Sequence, residues 1–142
     1  MPVAVRGLRG SGAGIEQAGA DDVLIFPNVL CCIAVAAYSG GVLAGAHVTV
    51  ADQGNLGRVR EGLENLVGGN PTFYIAGPVD GYDLSHFGDD VKVTRTESGV
   101  DIRVKNVGGD IQISKRPAGG EALSEAGFRP VRSGCGGCCI MM

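Results

Sequence analysis

The chain lacks several features on which common classes of protein depend. Its 142 residues include no tryptophan, aromatic residues make up only 5%, and twelve Lys and Arg are outnumbered by fifteen Asp and Glu, which gives a net charge of −3. Without a basic stripe or basic residues interleaved with aromatics, nucleic acid is not an expected partner. No apolar run approaches the roughly 18 residues of a transmembrane helix. The first 14 residues contain two arginines but no apolar core of a secretory signal peptide.

Cysteine is too irregularly distributed to form a disulfide framework. The total of five is odd, and three of the five lie in the last eight residues. What is present in quantity is apolar material, 44% of the chain, together with 25 glycines. A chain of this length and composition predicts one globular domain with a core of its own and many tight turns.

The clearest local pattern is a β-hairpin. Two apolar runs, Ile33 to Tyr38 and Val42 to Val50, flank the turn residues Ser39-Gly40-Gly41. A Ser-Gly or Gly-Gly pair between two strand-like runs is a strong hairpin signal. The pattern therefore predicts two antiparallel strands joined by a short loop.

This hairpin brings a cysteine and a histidine together. With a two-residue loop, at Ser39-Gly40 or at Gly40-Gly41, Cys32 falls directly opposite His47 or one diagonal step away, on the same face. Such neighbours have Cβ atoms about 4.5–8 Å apart, within reach of a thiolate–imidazolium pair. A three-residue loop would select Cys31 instead. We favour Cys32, with Cys31 as a small buried side chain behind it; the alternative is that both cysteines are core residues and His47 is incidental.

The remaining pattern predicts one helix and further strands. Apolar residues recur at helical spacing from Leu56 to Val67, with Asn55 as a cap and Gly68-Gly69 as a stop. Residues 1–20 form a Gly-rich N-terminal segment with a loop or short edge strand, and the ordered body is expected to end near residue 115, before a flexible tail at 117–142. Between these limits we predict a strand at 72–75, a polar loop at 77–90, and a three-stranded antiparallel meander over 91–95, 100–104 and 111–113.

The hairpin also resembles a known catalytic motif. The segments Val23 to Val35 and Leu43 to Val48 are similar to the active-site hairpin of the chemoreceptor glutamine deamidase (CheD) family, and more loosely to cytotoxic necrotizing factor-type deamidase toxins. The resemblance covers roughly residues 14–115. It implies an α/β (α+β) sandwich, mostly antiparallel β-sheet with a flanking helix, and a protein-glutamine amidohydrolase without a cofactor. The implied nucleophile is Cys32 and the implied base is His47.

The chain departs from that family around the cysteine. Where the chemotaxis family has Gly-x-Gly-Ser, this chain has the bulkier segment Asn28 to Cys31, and the family's histidine-orienting threonine is replaced by Phe26. The toxins orient their histidine with a backbone carbonyl. We therefore expect the Phe26 main chain, or the side chain of Asn28 or Thr49, to orient His47.

The C-terminus carries a second motif. Its last four residues, beginning with Cys139, form a C-a-a-X prenylation box whose final Met favours farnesyl, and Cys138 and Cys135 are candidates for palmitoylation. The alternatives are a labile thiol tail or a weak Cys-x-x-Cys metal site. Because bacteria generally lack such prenyltransferases, the two motifs together indicate a bacterial effector that acts in host cytoplasm at membranes, on a small GTPase or another host switch protein. Rival interpretations are a receptor-modifying deamidase in bacterial cytoplasm and an inactive binding module.

Overall fold

The computed structural model describes residues 2–5, 15–18, 23–49, 54–119 and 124–131. In these ranges the chain has an α+β fold with one α-helix and ten strands arranged in two five-stranded sheets. The strands are β1 (Pro2–Ala4), β2 (Ile15–Ala18), β3 (Val23–Val29), β4 (Ile33–Ser39), β5 (Val42–Val48), β6 (Thr72–Gly77), β7 (Lys92–Arg95), β8 (Val100–Val107), β9 (Asp110–Pro117) and β10 (Arg129–Pro130). The coarse prediction of an α+β fold with mostly antiparallel sheet and a helix is confirmed.

The first sheet has the order β1-β3-β8-β9-β10, and the second has the order β2-β5-β4-β6-β7. Each sheet contains one parallel pair, β1 with β3 in the first and β6 with β7 in the second, and the other neighbours are antiparallel. Both N-terminal strands, β1 and β2, are edge strands, in agreement with the short edge strand expected within residues 1–20.

The predicted hairpin is present with a two-residue loop. Ser39 pairs with Val42 at the end of β4 and β5, so the loop is Gly40-Gly41. Both glycines have positive φ, 58° and 85°. Two consecutive residues in this region are what a type I′ turn requires, and glycine adopts it without a steric penalty.

The single α-helix within the described ranges, α1 (Leu56–Val67), has the bounds expected from its apolar spacing. Leu56, Val59 and Leu63 are its buried residues. Asn55 occupies the N-cap position, although its side chain makes no capping hydrogen bond, and Gly68 ends the helix with φ 75°. This helix is not long and apolar enough to cross a membrane, and no other helix in the described part of the chain is.

Two hydrophobic clusters divide the molecule into three layers. Side chains alternate along β4: Ala34 and Ala36 belong to a cluster shared by both sheets, whereas Ile33 and Val35 belong to a cluster shared by the second sheet and α1. The second sheet is therefore buried on both faces, with the first sheet on one side and the helix on the other. This explains the nearly continuous apolar sequence of β4 and β5.

The predicted three-stranded meander is wrong. β7 lies parallel to β6 in the second sheet, whereas β8 and β9 form an antiparallel hairpin in the first sheet. The segment from Thr96 to Gly99 thus carries the chain from one sheet to the other. Alternation of apolar residues reports that a strand has a buried face, but it contains no information on which strand is its neighbour.

The folded body also extends beyond the predicted limit near residue 115. β10 pairs with β9, and the main-chain N–H of Val131 donates to the carbonyl of Ile113 at 2.8 Å. The polar loop at 77–90 likewise contains a 3₁₀ helix, Leu84–Phe87, whose Phe87 is buried against Phe73 with ring centroids 5.3 Å apart. Gly- and Ser-rich composition therefore does not identify residues 124–131 as flexible, because β10 within this range pairs with β9.

Candidate functional site

Cys32 and His47 lie in hydrogen-bonding contact. The Sγ atom of Cys32 is 2.8 Å from Nε2 of His47. His47 pairs with Ala34 across β4 and β5, so Cys32, two residues before Ala34, is one diagonal step away on the same face. Of the two arrangements predicted for a two-residue loop, the structure has the diagonal one.

The pair faces the space between the two sheets. Cys32 belongs to the cluster between the sheets, and its exposed fraction is 7%, against 4% for His47. The ring of Phe26 stands edge-on to the imidazole with centroids 6.2 Å apart. Gly45 makes this possible: a Cβ at that position would lie 2.7 Å from Cζ of Phe26 and 2.8 Å from Cδ1 of Leu24. Strand β5 therefore needs a glycine where the aromatic ring crosses it.

The main-chain oxygen of Val5 fixes the histidine ring. Nδ1 of His47 lies 3.1 Å from that oxygen. A carbonyl can only accept, so Nδ1 carries the proton, and Nε2 of the neutral ring presents its lone pair to the thiol. Val5 is itself held because its N–H donates to the carbonyl of Ile25 at 2.7 Å, in continuation of the parallel pairing of β1 with β3.

Val5 thus takes the orienting role that the sequence interpretation assigned to Phe26, Asn28 or Thr49, and that expectation is corrected. Phe26 contributes its ring instead of its main chain, which is paired with Ile102 in the first sheet. Asn28 is exposed and participates through its backbone. Thr49 is half-buried directly after β5. A backbone carbonyl leaves no mark in a sequence, which is why Val5 was missed.

Cys31 is exposed, which corrects the prediction of a small buried side chain. It lies with Leu30 and Cys32 in a bend between β3 and β4, and Leu30 is also exposed, so the outward side of the bend is open to solvent. The Cys31 carbonyl accepts a hydrogen bond from the hydroxyl of Tyr82 at 2.8 Å. This contact ties the bend to the loop that follows β6.

Burial favours the neutral form of both partners. It raises the pKa of the Cys32 thiol above its ordinary value of 9.0, and backbone hydrogen bonds from Leu30 and Cys31 oppose this in part. Burial also lowers the pKa of His47 below 6.5, against the opposing effect of the Val5 bond. The resting pair is therefore a thiol and a neutral imidazole, in contrast to the thiolate–imidazolium pair considered from the sequence.

A buried ion pair supports the cysteine bend from the first sheet. Asp101 on β8 faces Arg116 on β9, with Oδ2 2.8 Å from Nε, and its Oδ1 accepts the main-chain N–H of Asn28 at 2.8 Å. Neither residue was singled out from the sequence. Both strands contain several charged residues, so the sequence does not distinguish these two, and their pairing depends on the β8–β9 register.

The candidate lipidation sites, Cys135, Cys138 and Cys139, lie outside the described residues. Within the described ranges, no group of three or more His, Cys, Asp or Glu side chains comes together in a way that could hold a metal ion.

No protein-family model matches this chain, no curated protein does, and no solved structure does.

Proposed function

We propose that this chain is a cysteine-dependent protein glutamine deamidase in which Cys32 is the nucleophile and His47 the base. One observation carries the proposal: Cys32 Sγ is 2.8 Å from Nε2 of a histidine whose Nδ1 is bonded to a main-chain carbonyl. A nucleophile in contact with a base that a third group orients is the general arrangement of covalent catalysis.

The neutral pair defines the first step. As the carboxamide carbon approaches, Nε2 accepts the thiol proton and sulfur attacks, so charge separation occurs only with the substrate in place. The resulting oxyanion requires N–H donors. The backbone groups of Leu30 and Cys31, which oppose the rise in the pKa of the Cys32 thiol, are the candidates for these donors.

The second half of the reaction returns the site to its starting state. The imidazolium of His47 gives its proton to the leaving nitrogen, which departs as ammonia and leaves a thioester on Cys32. Water, deprotonated by His47, then attacks the thioester carbon. The thiolate leaves and recovers its proton, and the glutamine has become glutamate. The net reaction is hydrolysis of a carboxamide to a carboxylate and ammonium, without an oxidant, a reductant or a cofactor.

The surroundings of the pair favour a protein substrate. The sulfur is almost completely buried, whereas the outer side of the bend presents Asn28, Leu30 and Cys31 to solvent. A side chain with a terminal carboxamide, projecting from a protein surface that rests on this exposed rim, suits such a site. The product gains one negative charge, which is sufficient to alter a switch protein.

The proposed setting is a host cell. A bacterial effector with a prenylated Cys139 would act at host membranes, and a small GTPase is the proposed class of target. This part of the proposal rests on the C-a-a-X sequence and on the family resemblance.

A second candidate function is a non-catalytic binding module of the same fold. The observation that favours it is the burial of Cys32, with an exposed fraction of 7% and a raised pKa, since a reactive cysteine is more often exposed and of low pKa. The two functions differ at Cys32: a deamidase forms a thioester on this thiol and regenerates the thiol in each turnover, whereas a binding module leaves it unreacted.

The test is deamidation of host proteins by the full chain. Wild type, Cys32→Ser and Cys31→Ser are incubated with eukaryotic lysate, and ammonia release and new glutamate residues are measured by enzymatic assay and peptide mass spectrometry. Loss of activity in Cys32→Ser with retention in Cys31→Ser, the adjacent exposed control, is the expected result. Equal ammonia release from wild type and Cys32→Ser would exclude catalysis and leave the binding module. Farnesyl incorporation into wild type but not Cys139→Ser tests the membrane setting separately.

A further inference from the structure

The strand that leads to the cysteine is interrupted by a bulge. β3 pairs with β8 at Phe26 with Ile102 and again at Val29 with Val100, so two residues of β3 lie opposite Asp101 alone. One of the two, Asn28, has φ 52° and is the only non-glycine residue with positive φ in the described part of the chain. This conformation costs an L-residue about 1–2 kcal/mol, less for asparagine than for most others, so contacts that favour it increase its population.

Asp101 supplies the contact that the bulge needs. Its Oδ1 accepts the Asn28 N–H at 2.8 Å, and its Oδ2 accepts Nε of Arg116 at 2.8 Å. The exposed side-chain fractions of the ion pair are 3% for Asp101 and 7% for Arg116. A carboxylate so deeply buried is stable as a charge only with such partners. The ion pair and the bulge therefore form one unit.

The bulge in turn determines where the nucleophile lies. The Asn28 carbonyl is 4.0 Å from Sγ of Cys32, and the next carbonyl, that of Val29, accepts from the N–H of Gly99 at 2.9 Å. The bend Leu30–Cys32 starts directly after these two anchored residues. Rotation of Asn28 out of its conformation would move the bend and the sulfur relative to His47, which is anchored separately on β5 and Val5.

The C-terminal segment completes the support from the outer face of the first sheet. Nη1 of Arg116 donates to the carbonyl of Ser124 and, at 2.9 Å, to that of Ala126. The Phe128 ring lies 4.2 Å from the guanidinium carbon. Residues 124–128 thus supply acceptors for Nη1, which Asp101 does not use, and an aromatic ring over the guanidinium.

We propose that Asp101 and Arg116 are positioning residues that hold the cysteine bend in its reactive geometry, and that residues 124–128 act through Arg116 as part of the same device. The proposal rests on the proposed function, because it concerns the nucleophile of that reaction. Its physical basis is the uninterrupted series of contacts from residues 124–128 through Arg116, Asp101 and Asn28 to the bend that carries Cys32.

The test separates positioning from folding. Asp101→Ala is expected to lower kcat on the deamidated substrate about 100-fold with little change in KM, since displacement of a catalytic group by about 1 Å has this effect. Asp101→Asn keeps an acceptor for the Asn28 N–H and is expected to recover part of kcat. Glu64→Ala is the matched control, because it removes a partly exposed salt bridge to Arg60 on α1, which contacts neither the ion pair nor the cysteine bend.

A second substitution tests the same link, and Asp101→Asn takes the place of Asp101→Ala in the cycle if the alanine variant is poorly folded. Asn28→Gly tolerates positive φ without help, so it should reduce the effect of Asp101→Ala on kcat in a double-mutant cycle. Fold integrity is checked by circular dichroism and urea denaturation. Normal kcat in a folded Asp101→Ala protein, or full additivity of the two substitutions, would overturn the positioning role.

Alkylation of the thiol provides a readout that does not depend on the substrate. The rate of Cys32 alkylation by iodoacetamide is followed against pH by peptide mass spectrometry in wild type, Asp101→Ala and Glu64→Ala. A changed pH profile in Asp101→Ala alone supports the role, and identical profiles refute it. If the wild type releases no ammonia yet the profiles differ, the proposed function has failed while the positioning of Cys32 stands.

Discussion

Gly45 offers the sharpest test of how the site is packed. It lies on β5 two residues before His47, on the face toward the first sheet, where the Phe26 ring crosses the strand. A methyl group added there would lie 2.7 Å from Cζ of Phe26 and 2.8 Å from Cδ1 of Leu24. The substitution Gly45→Ala therefore forces two buried side chains to move.

The size of the effect follows from these distances. Carbon atoms in contact prefer about 3.5–4.0 Å, so the Phe26 ring must shift by about 1 Å. Both Phe26 and Leu24 are fully buried between two sheets, and overpacking of such a core costs about 1–3 kcal/mol, more than the gain of about 0.8 kcal/mol from one buried methyl group. We expect a net loss of about 1 kcal/mol and, for a chain of 142 residues, a fall in Tm of roughly 3–4 °C.

The assay compares two glycine substitutions. Gly45→Ala and Gly57→Ala are measured by thermal and urea denaturation. Gly57 lies in α1, and a Cβ there would meet only Nδ1 of His86, at 3.9 Å. Gly57→Ala is therefore expected to stabilise the protein by about 0.5–1 kcal/mol through helix propensity.

Phe26→Leu provides the check on mechanism. The smaller side chain should recover part of the stability of Gly45→Ala because the space above β5 is then open. Because the Phe26 ring rests against His47, Gly45→Ala should also reduce the proposed deamidase activity, whereas Gly57→Ala should not. A Tm of Gly45→Ala equal to or above that of wild type would refute the packing argument.

Three further predictions concern the site and its surroundings. Burial lowers the pKa of His47 below 6.5, so below pH 6.5 the unfolded state binds a proton that the folded state does not. Burial also raises the pKa of Cys32 above 9.0, so above pH 9.0 the unfolded state loses a proton that the folded state keeps. The free energy of unfolding, measured in urea at each pH, should therefore fall below pH 6.5 and above pH 9.0. In the double variant Cys32→Ser, His47→Gln this free energy should depend less steeply on pH. An equally steep dependence would contradict a buried neutral pair. Leu30 is 50% exposed beside the proposed nucleophile, so Leu30→Asp should raise KM for a protein substrate. The control is Val107→Asp, at a 44% exposed residue at the far end of β8, which should leave KM unchanged. Equal effects on KM would argue against a rim that contacts the substrate. Truncation after residue 131 should preserve the fold. Truncation after residue 119 removes β10 and the C-terminal partners of the Arg116 guanidinium, so it should lower Tm. Equal Tm values for the two truncated chains would show that residues 120–131 contribute no stability.

The local parts of the structure were predictable because their causes are local. Gly40-Gly41 allows a two-residue turn, and the turn alone determines that Cys32 and His47 share a face. The spacing from Leu56 to Val67 predicts a helix with the observed bounds. In each case the signal and the structure involve residues within about fifteen positions of one another.

Other features depended on which distant segments come together. β7 pairs with β6 and not with β8. Its alternating sequence fits the edge of either sheet, so the pairing depends on how the layers pack. Cys31 is exposed because it lies in the bend between β3 and β4 and not within a packed strand. Composition could not predict either outcome.

The same holds for the groups that complete the site. Val5 lies 42 positions from the histidine that it orients, and Asp101 lies 73 positions from the Asn28 N–H that it accepts. Every residue has a main-chain carbonyl, so the sequence does not indicate that the carbonyl of Val5 binds His47. Acidic residues are also common in strands, so the sequence does not indicate the role of Asp101. The sequence by itself determined the pair Cys32 and His47, whereas only the tertiary structure decided what holds each of them, because those contacts arise from the register and packing of strands distant in the chain.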